Sequence, residues 1–125
     1  MKSLVLSAVA TFALSVTAVA APTIGEPAPA FSAVDTTGKT RSLSEFKGKT
    51  VVLEWTNDGC PYVKKHYGAG NMQKLQQEAT VSGVVWLSII SSAPGKQGFV
   101  DAGGANQLTA SRGAKPSAVL LDPKG

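Results

Sequence analysis

The stretch Thr50-Val51-Val52-Leu53-Glu54-Trp55-Thr56-Asn57-Asp58-Gly59-Cys60-Pro61-Tyr62-Val63-Lys64-Lys65-His66-Tyr67 organises this chain. Val51, Val52 and Leu53, with Trp55, form an apolar β-type run. The polar loop Thr56 to Gly59 follows, and then come the sole cysteine, Cys60, and Pro61. Proline suits the first turn of a helix, where its missing N–H leaves no bond unmade. Cys60 is therefore expected at the N-cap, with the free N–H groups of the next turn aimed at its sulfur. That end of a helix carries partial positive charge and favours an anion. A thiol in such a place is enriched in its reactive thiolate form. Strand, loop, Cys-Pro and helix together predict a site for thiol chemistry.

The flanking sequence supplies the rest of an α/β domain. Gly25 to Ala30 is extended, because each proline biases the residue before it away from the helical region. Phe31 to Val34 and Lys39 to Arg41, joined by the turn Asp35 to Gly38, predict a β-hairpin. Ser42 and Glu45 fit a capping box that opens about one helical turn, ending at Gly48. Val51 to Trp55 is expected as the central strand, since a nearly continuous apolar run suits a strand covered on both faces. After the helix from Cys60 to Tyr67, Gly68 and Gly70 interrupt. Asn71 is expected to cap a second helix to about Thr80, with Met72, Leu75 and Ala79 on one face. Val84 to Ile90 and Ala118 to Leu121 read as buried strands, and Phe99 to Ser111 as a weak helix containing Gly103 and Gly104. Strands alternating with helices predict a partly parallel sheet. Asp122 to Gly125 is a turn, and the chain is expected to continue beyond it, because the last strand would otherwise present an open edge.

Residues 1–20 are read as a secretory signal peptide. Lys2 gives a positive start, Leu4 to Val19 is apolar, and Ala18-Val19-Ala20 is a small-x-small cleavage site. Residues 21–125 then form one small domain, exported to the periplasm or secreted, with no membrane association after cleavage. The chain has 12 Lys and Arg against 8 Asp and Glu, a net charge of +4. These basic residues are scattered rather than clustered into a stripe, which argues against a nucleic-acid partner. Exported domains use cysteines in pairs, so a single one suggests a reactive group or an intermolecular bridge.

Two stretches carry a family resemblance. Gly25-x-x-Ala28-Pro29-x-Phe31-x-x-x-Asp35-x-x-Gly38, then Leu43, then Gly48-Lys49-Thr50-Val51-Val52-Leu53, is similar to the N-terminal signature of the redoxin superfamily. That superfamily includes the peroxiredoxins of the AhpC/TSA type and their thioredoxin-like relatives. Cys60-Pro61 falls where the family keeps its reactive cysteine, and Leu120-Leu121-Asp122-Pro123-x-Gly125 resembles a later strand and turn. In relatives a cis-proline loop is expected beyond this segment, and Pro116, which precedes a strand, is the alternative place for that cis-proline. The resemblance implies a thioredoxin-like fold with an N-terminal hairpin extension, a central mixed sheet flanked by helices, and a final strand and helix missing from this chain. It implies a thiol-dependent oxidoreductase with antioxidant activity, needing no cofactor. Its substrate would be a peroxide or a protein disulfide, its partner a thiol reductant protein, and a homodimer is possible.

The chain departs from the family patterns at three positions. A peroxiredoxin site reads Pro-x-x-x-Thr/Ser-x-x-Cys, but Leu53 stands at the proline and Asn57 at the hydroxyl residue. A thioredoxin site reads Cys-x-x-Cys, but Val63 stands at the second cysteine. The expected chemistry is attack by the Cys60 thiolate on a peroxide or disulfide, with another thiol resolving the product. Thr56 or Asn57 is expected to donate a hydrogen bond to the sulfur or to a substrate oxygen, and Asp58 to point outward. At ~100° per helical residue, Lys64 lies ~40° from Cys60, Tyr67 ~20° and His66 ~120°. Lys64 is thus the candidate to hold the thiolate, Tyr67 reads as packing, and His66 as surface. Trp55 and Trp86 read as core. Two non-enzymatic alternatives remain: copper held by Cys60, His66 and Met72, and a redox-inert scaffold.

Overall fold

The computed structural model describes residues 21–124, so the segment read as a signal peptide lies outside the described residues. The elements are β1 (Ser32–Asp35), β2 (Thr40–Ser42), a 3-10 turn (Leu43–Phe46), β3 (Val51–Trp55), α1 (Pro61–Gly68), α2 (Asn71–Val81), β4 (Val85–Ile90), α3 (Ala102–Ser111) and β5 (Ala118–Leu121).

Asp35 shapes the opening hairpin. Its Oδ1 accepts from the Thr37 hydroxyl at 2.6 Å and from the backbone N–H of Thr37 at 2.8 Å and Lys39 at 3.1 Å. Gly38, at φ +84°, supplies the left-handed step of the turn. Arg41 on β2 brings its Nε to 3.4 Å from the second oxygen of Asp35. The next turn is closed as the sequence predicts, with Glu45 Oε1 accepting from the Ser42 N–H at 2.9 Å.

The five strands form one mixed sheet in the order β2-β1-β5-β4-β3. β1 pairs antiparallel with β2 and β5, while β3, β4 and β5 run parallel. Among the described residues β3 is therefore an edge strand and not the central one. β4 takes the buried place: every residue from Trp86 to Ile90 is buried, whereas none in β3 is. An apolar run fits either position, and pairing on one side only leaves Trp55 62% exposed. Trp55 is thus not core, while Trp86 is.

Side-chain alternation sorts the sheet into two faces. Leu53, Leu87, Ile89 and Leu120 share one face with Phe31 and Phe46 packed against it. Glu54, Trp86, Ser88, Ile90 and Val119 share the other, which carries the helices. Ala105 of α3 packs on Ile90 and Val119. α1 and α2 meet the same face through Tyr67 and Gln76, both of which hydrogen-bond to Glu54.

Three helix expectations change. α2 starts from Gly70, whose φ of +76° makes it the N-cap, so Asn71 is the first helical residue instead of the cap. Its buried residue is Gln76, and Leu75 is 51% exposed. α3 begins only at Ala102, because Asp101 caps it by accepting from the Gly104 N–H at 2.7 Å. No cis peptide bond occurs among the described residues, Pro116 included.

The hairpin yields a pH prediction. The Thr37 hydroxyl first, then the backbone N–H groups and Arg41, outweigh burial and hold the Asp35 carboxyl below its ordinary 3.8. A lowered folded-state value stabilises the fold above that ordinary pKa, and the contribution is lost as pH falls through the lowered one. Asp35→Asn should be less stable at neutral pH and should flatten the acid limb of a denaturation-versus-pH curve. An unchanged acid limb would show that Asp35 does not set it.

Candidate functional site

Cys60 is the N-cap of α1, with extended backbone (φ −73°, ψ 126°) and Pro61 as the first helical residue. Its own N–H is held by the Asn57 carbonyl at 3.0 Å, and its carbonyl accepts from the Lys64 N–H at 3.0 Å. The thiol is half-buried and free of any disulfide. It opens on a cleft of about 260 Å³ lined also by Trp55, Thr56, Asn57, Val63, Ser91 and Ser92. The site joins the end of β3, the start of α1 and the loop after β4.

Each predicted residue has a definite place. Thr56 is buried, lines the cleft, and accepts from Arg112 Nη1 at 3.4 Å. Asn57 also lines the cleft, but its amide works within the backbone. Its Oδ1 accepts from the Gly59 N–H at 2.8 Å and its Nδ2 donates to the Gln97 carbonyl at 3.3 Å. Asn57 thus clasps the Cys60 loop to the loop after β4. Gly98 fits this clasp because any Cβ there would run into the Asn57 side chain. Asp58 is exposed, as expected. Lys64 is exposed and lines a separate cavity with Asp58, Val63, Tyr67, Gly68, Ser111 and Arg112. The structure therefore brings Cys60, Thr56 and Asn57 together and sets Lys64 in the neighbouring cavity.

The copper ligand set does not converge. His66 and Met72 line a cavity between α1 and α2, away from the Cys60 cleft. His66 Nδ1 lies 3.2 Å from the Asn71 amide nitrogen. Among the described residues no group of three or more His, Cys, Asp or Glu side chains is arranged to hold a metal ion.

The largest surprise lies directly behind the site. Glu54 projects from β3 into the helix layer and accepts four hydrogen bonds. Tyr67 OH donates to Oε1 at 2.8 Å. Trp86 Nε1, the Ser88 hydroxyl and Gln76 Nε2 donate to Oε2 at 2.8, 2.8 and 3.0 Å. Three donors converge on Oε2 and one reaches Oε1, so both carboxylate oxygens are engaged. Gln76 is fully buried, and it is fully paired as well: its amide nitrogen also donates to Tyr67 OH at 2.9 Å, and its Oε1 accepts from the Lys115 N–H at 2.7 Å. The Arg112 guanidinium stacks on the Tyr67 ring at 4.4 Å. Tyr67, expected to serve packing, is thus also the polar link between α1 and β3.

Sequence reasoning missed Glu54, Gln76, Ser91, Ser92 and Arg112. A charged residue inside an otherwise apolar strand was the available signal for Glu54, since a charge among apolar neighbours demands partners. No local pattern marks the others.

Residues 24–125 match the AhpC/TSA family. The chain belongs to that family. No curated protein matches the chain. Among solved structures, this AhpC/TSA chain is similar to a candidate protein disulfide isomerase from Bacteroides thetaiotaomicron, at 25% identity and TM-score 0.59, over 81% of this chain and 58% of that one. It is similar to a candidate thiol:disulfide interchange protein DsbE from Chlorobium tepidum at 25% identity and TM-score 0.59, over 81% and 64%. A hypothetical protein from Sinorhizobium meliloti 1021 shares the fold at TM-score 0.68 and 20% identity, over 82% and 55%. The chain thus spans between about half and two thirds of the structures it matches. Its fold is thioredoxin-like, as the sequence resemblance implied.

Burial first, and then the accepting Glu54 carboxylate, push the Tyr67 phenol up from 10.0 to about 12. Because the folded value is raised, the stabilisation is complete below pH ~10 and is lost as pH rises through the raised value. Ultraviolet titration in a Tyr62→Phe background should show Tyr67 ionising well above its ordinary 10.0. Glu54→Gln should bring the Tyr67 midpoint down, because it removes the charge that raises it. A Tyr67 midpoint at its ordinary 10.0 in the folded protein would contradict this arrangement.

Proposed function

We propose that this AhpC/TSA chain is a thiol-dependent oxidoreductase in which Cys60 is the attacking group. The observation that carries this reading is the half-buried N-cap thiol opening on a small cleft lined by Thr56, Ser91 and Ser92. A helix N-terminus favours an anion, and the hydroxyls of Thr56 and Ser92 can donate to the sulfur or to a substrate oxygen. The resemblance to proteins described as disulfide isomerase and thiol:disulfide interchange protein supports the same chemistry.

With a hydroperoxide, the Cys60 sulfur forms a bond to one peroxide oxygen as the O–O bond breaks. The other oxygen leaves and takes a proton, as alcohol or water, and Cys60 becomes a sulfenic acid. A second thiol then attacks that sulfur, water leaves, and a mixed disulfide forms. With a disulfide substrate, the thiolate bonds to one sulfur and displaces the other as a thiolate, giving the mixed disulfide directly. A further thiol releases Cys60 in either case. The 125 residues hold one cysteine, so the resolving thiols come from outside them. Those thiols belong to a reductant protein, to a second subunit of a homodimer, or to further sequence of this protein. Residues 1–20 have the pattern of a signal peptide, and we place this chemistry outside the cytoplasm, in the periplasm or beyond.

Intact mass spectrometry tests the reading. Treated with hydrogen peroxide and a sulfenate trap, or with oxidised glutathione, the protein should acquire one adduct on Cys60. Cys60→Ser should acquire none. A folded wild type inert to both oxidants would overturn the assignment.

A further inference from the structure

A second cavity, of about 340 Å³, adjoins the thiol cleft across Val63, which lines both. Lys64 and Arg112 bring cations to it, and Asp58 and Ser111 bring acceptors. The ion pairs among the described residues join Arg41 to Asp35, Lys39 and Arg41 to Glu45, and Lys74 to Glu78. Lys64, Arg112 and Asp58 take part in none of them. Resting on the assignment of Cys60 as the attacking thiol, we propose that this cavity is the subsite for the α-amino-acid head of a small disulfide substrate. The carboxylate of that head binds Arg112 and Lys64, and its ammonium binds Asp58. Disulfides of the glutathione class have this chemistry.

Arg112 is held ready for a carboxylate. Its guanidinium stacks on the Tyr67 ring at 4.4 Å, and its Nε donates to the Leu108 carbonyl at 3.4 Å. Nη1 donates to the Thr56 hydroxyl at 3.4 Å. A guanidinium has more N–H donors than these bonds use, and its planar fork matches a carboxylate. The stacking fixes that plane before any ligand arrives. Lys64 is exposed and adds a second cation on a flexible stem. Ser111 gives its proton to the Leu108 carbonyl at 3.0 Å, which leaves its oxygen to accept from an ammonium beside Asp58. Both signs of charge in one small cavity suit a zwitterion better than a simple anion or cation.

The thiol lies close to this cavity. Lys64 is one helical turn after Cys60, with its N–H bonded to the Cys60 carbonyl at 3.0 Å. Arg112 reaches Thr56, which lines the Cys60 cleft. A bound disulfide straddles Val63, with its sulfur in the cleft and its head in the cavity. The Cys60 thiolate bonds to the nearer sulfur, the bond between the two substrate sulfurs breaks, and the other half leaves as a thiolate. Cys60 is oxidised to the mixed disulfide and the departing half is reduced, so no further reactant enters this step.

The test is the rate of mixed-disulfide formation at Cys60, followed by intact mass on the full chain at low ionic strength, with circular dichroism as fold control. Oxidised glutathione is compared with the uncharged disulfide of mercaptoethanol and with the disulfide of mercaptopropionate, which has carboxylates and no ammonium. Arg112→Gln should slow the glutathione reaction about tenfold relative to the uncharged disulfide, as for one lost hydrogen bond between charged groups. Lys64→Gln should slow it roughly threefold, as for an exposed ion pair. Asp58→Asn should slow oxidised glutathione and speed the mercaptopropionate disulfide. Both compounds are net anionic, so Asp58 acting only as a distant charge would make Asp58→Asn speed both, and that result would overturn the proposal. Unchanged relative rates in folded Arg112→Gln and Lys64→Gln would also overturn it and leave Cys60 as the reactive thiol. If Arg112→Gln does not fold, Lys64→Gln and Asp58→Asn carry the test. A folded wild type that forms no adduct with any of the three disulfides would overturn the disulfide reading of Cys60, and this inference with it.

Discussion

One partly buried carboxylate ties the helix layer to the sheet. Glu54 would be destabilising on a sheet face under helices if it lacked partners, since a charge drawn even partly out of water needs hydrogen bonds to replace its hydration. Four donors from α1, α2 and β4 remove that penalty together. The need runs both ways. Trp86, Ser88, Tyr67 and Gln76 each carry a polar atom into the same dry interface, and an unmade bond there costs ~1–3 kcal/mol per group. Hydrogen bonds to Glu54 fix the depth and rotation of α1 through Tyr67 and of α2 through Gln76.

The position of the thiol follows from that constraint. Tyr67 sits near the end of α1 and Cys60 at its start, so anchoring the ring against β3 sets where the N-cap points. Thr56 follows Glu54 by two residues, and its N–H continues the strand pairing by donating to the Ile89 carbonyl at 2.9 Å. Asn57 then pins the loop after β4 across the site. Arg112 closes the arrangement from α3 by covering the Tyr67 ring and reaching Thr56. The opposite sheet face has no part in this. Its apolar residues Leu53, Leu87, Ile89 and Leu120 pack under Phe31 and Phe46, beside a cavity of about 520 Å³ that Trp55 also lines.

What was legible in the sequence was local. Cys60-Pro61 after an apolar run marks an N-cap because proline acts within one residue of its place. The hairpin was readable from its turn, and Ser42 with Glu45 from their spacing. What failed was set by distant partners. Glu54 bonds to residues 13, 22, 32 and 34 positions away, and no window of sequence shows that. Periodicity placed Leu75 on the buried side of α2, but the adjacent Gln76 took that side because it could satisfy both Glu54 and the Lys115 N–H. Trp55 was misplaced because an apolar run cannot tell an edge strand from a central one. Lys64 was favoured on helical angle alone, which ignores Val63 and the wall it makes between two cavities.

The central claim is that the Glu54 carboxylate holds α1 and α2 as one unit and thereby places Cys60. Amide hydrogen exchange on wild type and Glu54→Leu tests it most directly. Protection should fall together along α1, α2 and the loop from Thr56 to Cys60, while the β1–β2 hairpin keeps its wild-type exchange. Unchanged protection in α1 and α2, with Glu54 replaced and the protein folded, would contradict the account.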